Sequence, residues 1–224
     1  MEGLSLSIKE RMELKGTTTV GLVFKDGVVI AADKRASAGT FIASRRAQKI
    51  YAITNKIVFT TSGLVADAQI LVRWIQNHIR RLTIEREREP LVREVANLTS
   101  ILMHNYFKSL LPFQVHFIIG GLDVLGPHIF FLDHSGAVQE DKFMATGSGS
   151  PIAFGVLEAY YKDRMDQEEA IMLALRALRS AIRRDAATGD GIDLAVITEK
   201  GIRFFKPEEI DAYLADLKKL LEEG

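Results

Sequence analysis

The hydrophobic pattern begins as that of β-strands, with β-branched and apolar residues in two runs near the amino terminus, 17–24 and 28–33. The segment KDG between them predicts a hairpin with a three-residue loop and Gly27 in the left-handed conformation. The segments AQKIYAIT and KIVFTTSG predict a second pair of strands. The first part of the chain is therefore predicted to form antiparallel β-sheet.

Beyond Leu64 the apolar residues recur with the period of an α-helix, which predicts two amphipathic helices. The predicted apolar positions are Ile70, Leu71, Trp74, Ile75 and His78 in the first helix, and Leu91, Val95, Leu98, Leu102 and Tyr106 in the second. The charge run EREREP between them is typical of a solvated helix end.

Strand-like sequence returns in QVHFIIGGLD, HIFFLD and AVQEDKFMATG, and helical sequence in SPIAFGVLEAYY and DQEEAIMLALRALRSAIRRD. Asp166 and Glu169 predict a capping box at the start of the second of these helices. A final strand pair, IDLAVIT and GIRFFKP, precedes an amphipathic helix from Pro207. This order predicts an α+β fold in which two antiparallel sheets pack face to face and helices cover both outer faces.

Composition narrows the classes of function. With 224 residues and 47% hydrophobic content, the chain can bury one substantial core, so we expect a single domain. Lys and Arg total 29, as do Asp and Glu, and this balance disfavours nucleic acid and anionic membranes as partners. The absence of cysteine excludes disulfides, thiolate metal sites and a cysteine nucleophile, and it is consistent with a cytoplasmic protein.

The amino-terminal residues 1–16 lack the apolar core of a signal peptide. No later stretch approaches the roughly 18 apolar residues of a membrane span. We therefore expect neither secretion by that route nor insertion into a membrane. Residues 1–16 instead have the character of a short polar extension that ends at Gly16, where strand-like sequence begins.

Several candidate sites are not supported by their spacing. The segment TGSGSP lacks the third glycine of a dinucleotide site and the lysine of a P-loop. Ser148 has glycine directly on both sides and lacks the spacing of an esterase nucleophile. The five histidines show no metal-ligand spacing: His78, His104, His116, His128 and His134. The sequence therefore indicates no nucleotide, metal ion or other cofactor.

The run of threonines after Gly16 is the remaining candidate for chemistry. With a three-residue loop in the first hairpin, Thr19 lies opposite Asp33 and Thr17 opposite Arg35, so both threonines share a face with Asp33. A register shift of one residue would place them on opposite faces. Lys49 is the nearest plausible cation for a buried Asp33. For Asp33 alone, a carboxylate that binds turn amides is as good an interpretation as a role in chemistry.

Five motifs in order resemble the proteasome β subunits, most closely those of archaeal type. They are Gly16 with TTTVGLVFKDGVVIAADKR, then RRAQKIY, TTSGLVADAQ, TGSGSP and RDAATGDGIDLAVIT, and the resemblance extends from Gly16 to about Lys206. It implies the N-terminal nucleophile hydrolase fold, a four-layer αββα sandwich that agrees with the predicted layers. It also implies that 1–16 is a propeptide removed by autolysis between Gly16 and Thr17, which leaves 17–224 as the catalytic domain.

The resemblance also implies roles for individual residues. Thr17 is the nucleophile, and its free α-amine, whose pKa in peptides is about 7.7 to 8.0, is the general base. Lys49 supplies a fixed positive charge beside the Thr17 hydroxyl, and Asp33 holds that ammonium. The backbone N–H of Gly63 is the donor to the oxyanion.

The family's polar group around the terminal amine corresponds to Ser148, Asp185 and Thr188. We expect Asp185 on the buried face of a helix, three residues beyond Ile182. Many relatives have serine where this chain has Thr188, and the hydroxyl is kept.

The substrate-binding residues that the resemblance implies lie near the amino-terminal strands. The backbones of Ala36 and Ser37 are expected to pair with extended substrate. The pocket for the side chain before the cut bond corresponds to Ala36, Ala47, Thr61 and Val65, which are small and mostly neutral.

The resemblance further implies assembly. We expect seven-membered β rings stacked face to face, capped by proteasome α rings through which a regulatory ATPase delivers unfolded polypeptides. Two other functions are compatible with the fold: a catalytically silent ring subunit, and an N-terminal hydrolase that acts on a small amide. The intact Gly16, Thr17, Asp33 and Lys49 favour a catalytic subunit over the first, and the proteasome-type motifs disfavour the second.

Overall fold

The computed structural model of the protein describes residues 16–109 and 112–222, so 1–15 of the expected propeptide lie outside the described residues. Within these ranges the elements are, in chain order, β1 (Thr18–Phe24), β2 (Gly27–Asp33), β3 (Ala36–Ala38), β4 (Phe41–Ser44), β5 (Ile50–Ala52), β6 (Ile57–Gly63), α1 (Val65–Arg86), α2 (Val92–Phe107), β7 (Val115–Asp123), β8 (Gly126–Leu132), β9 (Val138–Asp141), β10 (Phe143–Gly147), α3 (Ser150–Tyr160), α4 (Gln167–Arg184), β11 (Ile192–Thr198), β12 (Gly201–Phe204) and α5 (Pro207–Glu222). None of the helices within these ranges combines the length and apolar character needed to cross a membrane.

Two five-stranded antiparallel sheets pack face to face. The first has the order β10-β1-β2-β11-β12 and the second the order β5-β6-β7-β8-β9, while β3 and β4 pair separately as a short hairpin. Apolar side chains from both inner faces form the layer between the sheets, among them Ile30 on β2 and Ile118 on β7, both fully buried. Burial on this scale is the main stabilising contribution to such a sandwich.

Helices cover the outer face of each sheet. On the first sheet, Leu157 of α3 and Leu178 of α4 pack in one core with Val20 of β1, and α5 joins the same core. On the second sheet, Leu71 of α1 packs in a core with Phe117 of β7, which α2 completes. The predicted αββα layers are therefore confirmed. The capping box of Asp166 and Glu169 at the start of α4 is also present.

The first hairpin differs from the predicted register by one residue. Its loop contains two residues, 25–26, so Phe24 pairs with Gly27 and Thr19 pairs with Ala32. The prediction that Thr19 lies opposite Asp33 is therefore wrong. Because side chains alternate along a strand, this shift changes which residues share a face.

The reason for the shorter loop lies in the packing of Gly27. Its φ is not in the left-handed region. Instead, a side chain at this position would meet the carbonyl oxygen of Ile197 on β11 at 2.0 Å. Glycine is needed here for the close approach of two strands, and Gly27 belongs to β2. The same shift removes the predicted pairing of Thr17 with Arg35, because the β1–β2 ladder ends before either residue.

The two predicted helices α1 and α2 are present, but each buries a face that is rotated from the predicted one. The buried residues are Ala68, Leu71, Val72, Ile75 and Ile79 in α1, and Val92, Val95, Ala96, Thr99 and Met103 in α2. Trp74, at 43% exposed, instead packs on the outer surface against Tyr106 of α2, with ring centroids 5.8 Å apart. These aromatic residues pack against each other on the outer surface. They add to the helical pattern of apolar residues in the sequence, although they lie outside the helix faces that are buried against the sheet.

The segment AVQEDKFMATG forms two strands that belong to different sheets, and the hydrophobic pattern does not reveal this division. Asp141 ends β9 at the edge of the second sheet, and Phe143 begins β10 at the edge of the first. Lys142, between them, accepts a hydrogen bond on its carbonyl oxygen from the backbone N–H of Val23. The hairpin of β3 and β4 is a further pair of strands that the pattern did not indicate.

Candidate active site

Thr17 lies immediately before β1 and is 6% exposed. Its side-chain hydroxyl donates a hydrogen bond to the carbonyl oxygen of Gly16, at 2.5 Å. The same carbonyl oxygen accepts a longer hydrogen bond of 3.4 Å from the Nζ of Lys49. The hydroxyl and the ammonium therefore meet at the peptide bond that joins residues 16 and 17.

Lys49 and Asp33 form a buried ion pair beside Thr17. The Lys49 Nζ donates to Asp33 Oδ1 at 2.6 Å and to the carbonyl oxygen of Arg35 at 2.5 Å. The two carboxylate oxygens also accept three backbone N–H groups, from Thr18 at 2.8 Å, Arg35 at 3.1 Å and Gly189 at 2.9 Å. Asp33 thus binds the ammonium and backbone amides at the same time.

Burial perturbs the titration of this pair. It lowers the pKa of Lys49 below the ordinary lysine value, and the Asp33 carboxylate opposes that shift. It raises the pKa of Asp33, and the Lys49 ammonium together with the backbone N–H groups of Gly189 and Thr18 opposes that shift. Each charge therefore depends on the other, and removal of one would leave an unpaired charge in a buried site.

A second polar network lies on the other side of Thr17. Asp185 Oδ2 accepts hydrogen bonds from the hydroxyls of Ser148 and Thr188, both at 2.5 Å. Thr188 Oγ1 lies 2.7 Å from Thr18 Oγ1, and Ser148 Oγ lies 3.3 Å from the Thr17 carbonyl oxygen. The three predicted residues are therefore brought together next to the backbone of 17–18, and the hydroxyl of Thr188 takes part.

The predicted setting of Asp185 needs correction. Helix α4 ends at Arg184, and Asp185 follows it with extended φ and ψ angles of −101° and 116°. It is only partly buried, so it does not lie on the buried face of a helix as predicted. Because the chain leaves the helix here, the carboxylate can turn toward Ser148, and its other oxygen accepts the N–H of Ala187 at 3.2 Å.

Gly63 and Gly147 flank Thr17 with backbones that only glycine adopts readily. Gly63 has a φ of +117°, and a side chain there would lie 2.2 Å from the carbonyl oxygen of Gln114. Gly147 has a φ of +93°, and a side chain there would lie 1.9 Å from the Thr17 carbonyl oxygen. Gly147 of TGSGSP thus allows the end of β10 to approach Thr17.

Two cavities meet at Thr17. One, of about 270 Å³, is lined by all five predicted substrate-binding residues, Ala36, Ser37, Ala47, Thr61 and Val65, together with Lys49 and Gly63. The other, of about 500 Å³, opens on the far side of Thr17 between Gly63 and Ser148. A larger cavity of about 740 Å³ includes none of the predicted site residues. Among the described residues, no group of histidine, aspartate and glutamate could hold a metal ion.

Arg35 and Asp190 are site residues that the sequence analysis missed. The Arg35 guanidinium binds Asp190 at 2.7 Å and the carbonyl oxygen of Ala186 at 2.7 Å, and the hydrogen bond with Asp190 raises the pKa of Arg35. It therefore fastens the segment that carries Asp185 and Thr188 to the end of β2. The proximity of Arg35 to Asp33 in the sequence was the available signal, but its partner lies 155 residues away.

The chain is similar to known proteins over most of its length. A family model described as proteasome subunit matches residues 13–197. One similar relative is "Proteasome subunit beta" of Ferroglobus placidus, which is 52% identical over 91% of this chain and 97% of its own length. Another is "Proteasome subunit beta" of Archaeoglobus fulgidus, which is 47% identical over 96% of this chain and 100% of its own length. "Proteasome subunit beta 2" of Aeropyrum pernix is 48% identical over 87% of each chain. The family match includes every site residue described above, and the chain therefore belongs to the proteasome subunit family.

Proposed function

We propose that the protein is the catalytic β subunit of a proteasome core particle, a threonine endopeptidase with Thr17 as its nucleophile. One observation carries the proposal: the Thr17 hydroxyl and the Lys49 ammonium both contact the carbonyl oxygen of Gly16, at 2.5 and 3.4 Å. Attack on a peptide bond requires a nucleophile near the carbonyl group and a positive charge that stabilises the carbonyl oxygen, and both are present here. The names of the relatives support the assignment to a proteasome.

The first reaction of the chain is removal of its own 1–16. The Thr17 oxygen attacks the Gly16 carbonyl carbon, and the hydroxyl proton passes, through a water, to the Thr17 nitrogen as the bond between carbon and nitrogen breaks. Water then hydrolyses the resulting ester, which releases the Gly16 carboxylate and leaves a free α-amine on Thr17. Lys49 stabilises the negative charge that develops on the carbonyl oxygen.

The free amine then serves as the general base for substrates. With an ordinary pKa of about 7.7 to 8.0, it titrates close to working pH and accepts the proton of its own hydroxyl. It then donates that proton to the leaving amine of the substrate. Water hydrolyses the acyl-enzyme that remains. Lys49 favours the alkoxide-like state, while Asp33 keeps the ammonium in position and does not itself transfer a proton.

We further propose that the subunit acts inside a closed chamber. Seven-membered β rings stack face to face between α rings, and a regulatory ATPase supplies unfolded polypeptides through the α ring. Ring packing fixes the geometry at Thr17, so self-cleavage follows assembly. The Gly63 N–H donates to the oxyanion, and Ser148, Asp185 and Thr188 hold the terminal amine.

The test is the amino-terminal mass of the chain after assembly with its α partner, combined with turnover of an unfolded protein. The wild-type chain should lose residues 1–16 and hydrolyse the substrate. Thr17→Ala should assemble, retain 1–16 and hydrolyse nothing, whereas Thr17→Ser should process itself more slowly, because the threonine methyl group restricts the rotamer. If assembled Thr17→Ala particles, free of other proteases, were trimmed to residue 17, self-cleavage would be excluded. Assembled wild-type particles without turnover would indicate a silent ring subunit instead.

A further inference from the structure

Gly16 occupies a slot that has no room for a side chain. A Cβ atom built on Gly16 would lie 1.7 Å from the Oγ of Ser37 and 2.8 Å from its Cβ. On another side it would lie 3.1 Å from the carbonyl oxygen of Ala187. Carbon atoms in folded proteins do not approach so closely, so the neighbours would have to move before any residue other than glycine could fit.

The slot cannot open easily from either side. Among the described residues the Oγ of Ser37 is buried without a hydrogen-bond partner, so it can rotate, but its Cβ stays attached to the backbone of β3. Ala187 belongs to a segment that is fixed at both ends. Arg35 binds the carbonyl oxygen of Ala186 at 2.7 Å, and the N–H of Gly189 binds Asp33 at 2.9 Å.

The direction of this Cβ also separates residue 16 from a substrate residue. The atoms nearest to a side chain on Gly16 would belong to Ser37 and Ala187, and not to Ala47, Thr61 or Val65, which line the 270 Å³ cavity together with Ser37. The carbonyl group of residue 16 is tied to Thr17 by the bond to be cut, whereas a substrate approaches from outside and is free to turn its side chain into the cavity. In self-cleavage and in substrate cleavage, the side chain of the residue before the cut bond therefore points in different directions.

We propose that Ser37 is the specificity-determining residue for self-cleavage and that its side chain restricts residue 16 to glycine. This inference rests on the proposed function, because it assumes that Thr17 cuts the bond after Gly16. It adds that the selectivity of self-cleavage is independent of the selectivity toward substrates. The side chain of Ser37 sets the first, and the residues deeper in the same cavity, Ala47, Thr61 and Val65, set the second.

A double-mutant cycle tests the proposal in particles assembled with the α partner, with self-cleavage followed by mass spectrometry. The measured quantity is the ratio of the cleavage rates of chains with Gly16 and with Gly16→Ala, in each Ser37 background. With Ser37 present we expect a ratio of at least about tenfold, because a methyl group must be forced into a closed site. In the Ser37→Gly background the ratio should fall to about threefold or less, and in Ser37→Ala, which keeps the Cβ, it should be intermediate.

Ala38→Gly is the matched control, since it also places a glycine in β3 but next to the slot rather than in it; the full ratio should remain. Equal ratios in the Ser37 and Ser37→Gly backgrounds would overturn the proposal, as would rapid self-cleavage of Gly16→Ala with Ser37 intact. A wild-type chain that stays whole would overturn the proposed function and this inference together, whereas a processed wild type without rescue overturns only the inference.

A second measurement does not require Gly16→Ala chains to assemble. Processed wild-type particles are given matched peptides that carry either glycine or alanine before the cut bond. Because a substrate residue uses the cavity, alanine peptides should be cut at least as fast as glycine peptides. A preference for glycine of about tenfold or more would show that Gly16 and substrates share one slot, and the proposal would be wrong.

Discussion

At the scale of single residues, the site is dominated by two buried charges that depend on each other. Asp33 is fully buried and Lys49 is 4% exposed, and their contact of 2.6 Å is the main compensation for their lost hydration. A buried pair of this kind adds little to stability as a whole, but loss of one member leaves the other charge uncompensated. In the proposed mechanism, the pair matters because it provides a fixed positive charge beside Thr17.

Lys49→Ala should therefore lower turnover in assembled particles by at least about 100-fold, because the charge at the nucleophile is lost. It should also lower the free energy of unfolding by about 3 kcal/mol, since Asp33 remains buried without a cation. Turnover and thermal unfolding check the two effects. Lys34→Ala is the control, because Lys34 pairs with Asp193 at 3.1 Å on a partly exposed surface, and we expect a loss below about 1 kcal/mol. Full activity of Lys49→Ala particles would exclude the assigned role.

The pH dependence of turnover should report the Thr17 amine. A protonated amine cannot accept the hydroxyl proton, so activity should fall as pH decreases, with a midpoint at or below about 7.7 to 8.0. The nearby Lys49 ammonium disfavours a second positive charge and moves the midpoint down. Initial rates at low substrate concentration measure this midpoint. A midpoint near 6.5 that is unaffected when the amine is chemically blocked would point to a histidine and contradict the mechanism.

Much of the site could be predicted residue by residue, because its members lie in short contiguous motifs. The structure brings Lys49, Asp33 and the small pocket residues together around Thr17. The sequence could not predict the contact between Arg35 and Asp190, since a salt bridge between distant segments leaves no local pattern. Nor could it predict that Asp185 leaves the helix, because a helix end is decided by where the backbone finds partners outside the helix.

At the scale of elements, the first turn of α2 illustrates how a charged side chain fixes a helix end. Glu94 accepts the backbone N–H of Leu91 at 2.9 Å and two hydrogen bonds from the Arg88 guanidinium, at 2.6 and 2.9 Å. The hydrogen bond from Arg88 is the largest cause that lowers the pKa of Glu94 to about 2. The charged carboxylate thus joins the run EREREP to the helix that follows it.

Glu94→Gln should lower the free energy of unfolding at neutral pH by about 0.5 to 1 kcal/mol, a modest effect because solvent screens a side chain that is 34% exposed. A depressed carboxylate pKa stabilises the fold above the unfolded value of about 4.3, and this contribution is lost as pH falls through about 2. Unfolding measured from pH 7 to 2 should therefore show wild type and variant converge in acid. Glu85→Gln, on the surface of α1, is the control and should change stability by less than about 0.5 kcal/mol. A constant difference down to pH 2 would contradict the assigned pKa.

The order and type of most elements followed from the sequence, whereas the β3–β4 hairpin, the division between β9 and β10, and the rotation and register of the elements did not. Period and length suffice to identify α1 and α2, but Trp74 and Tyr106 contribute to the apolar pattern although they pack outside the sandwich. In the first hairpin, the choice between a two-residue and a three-residue loop depends on how closely Gly27 approaches Ile197, and these residues are far apart in the chain. Contacts between distant segments decide both features.

At the scale of the whole molecule, the sandwich has one apolar layer between the sheets and one under each set of helices. The site lies where the start of β1, in one sheet, is close to Gly63 at the end of β6, in the other sheet. Thr17 and Gly63 therefore line the same two cavities. This position makes the geometry at Thr17 depend on both sheets together. The four layers could be predicted from the sequence, but the meeting of the two sheets at Thr17 is visible only in the fold.

Lys142, the single residue between β9 and β10, connects the two sheets and has a consequence for unfolding. Since one residue separates β9 from β10, the edges of the two sheets cannot move apart by more than about 7 Å while both strands stay paired. The sheets cannot separate as intact units unless an edge strand leaves one of them, and they share one apolar layer, so the free subunit should unfold in one cooperative transition, with equal calorimetric and van't Hoff enthalpies. Insertion of four glycines after Asp141 lengthens this tether and should broaden the transition, whereas the same insertion after Val124, in an exposed turn, should not. Two separate transitions in the unmodified chain would mean that the halves of the sandwich unfold independently.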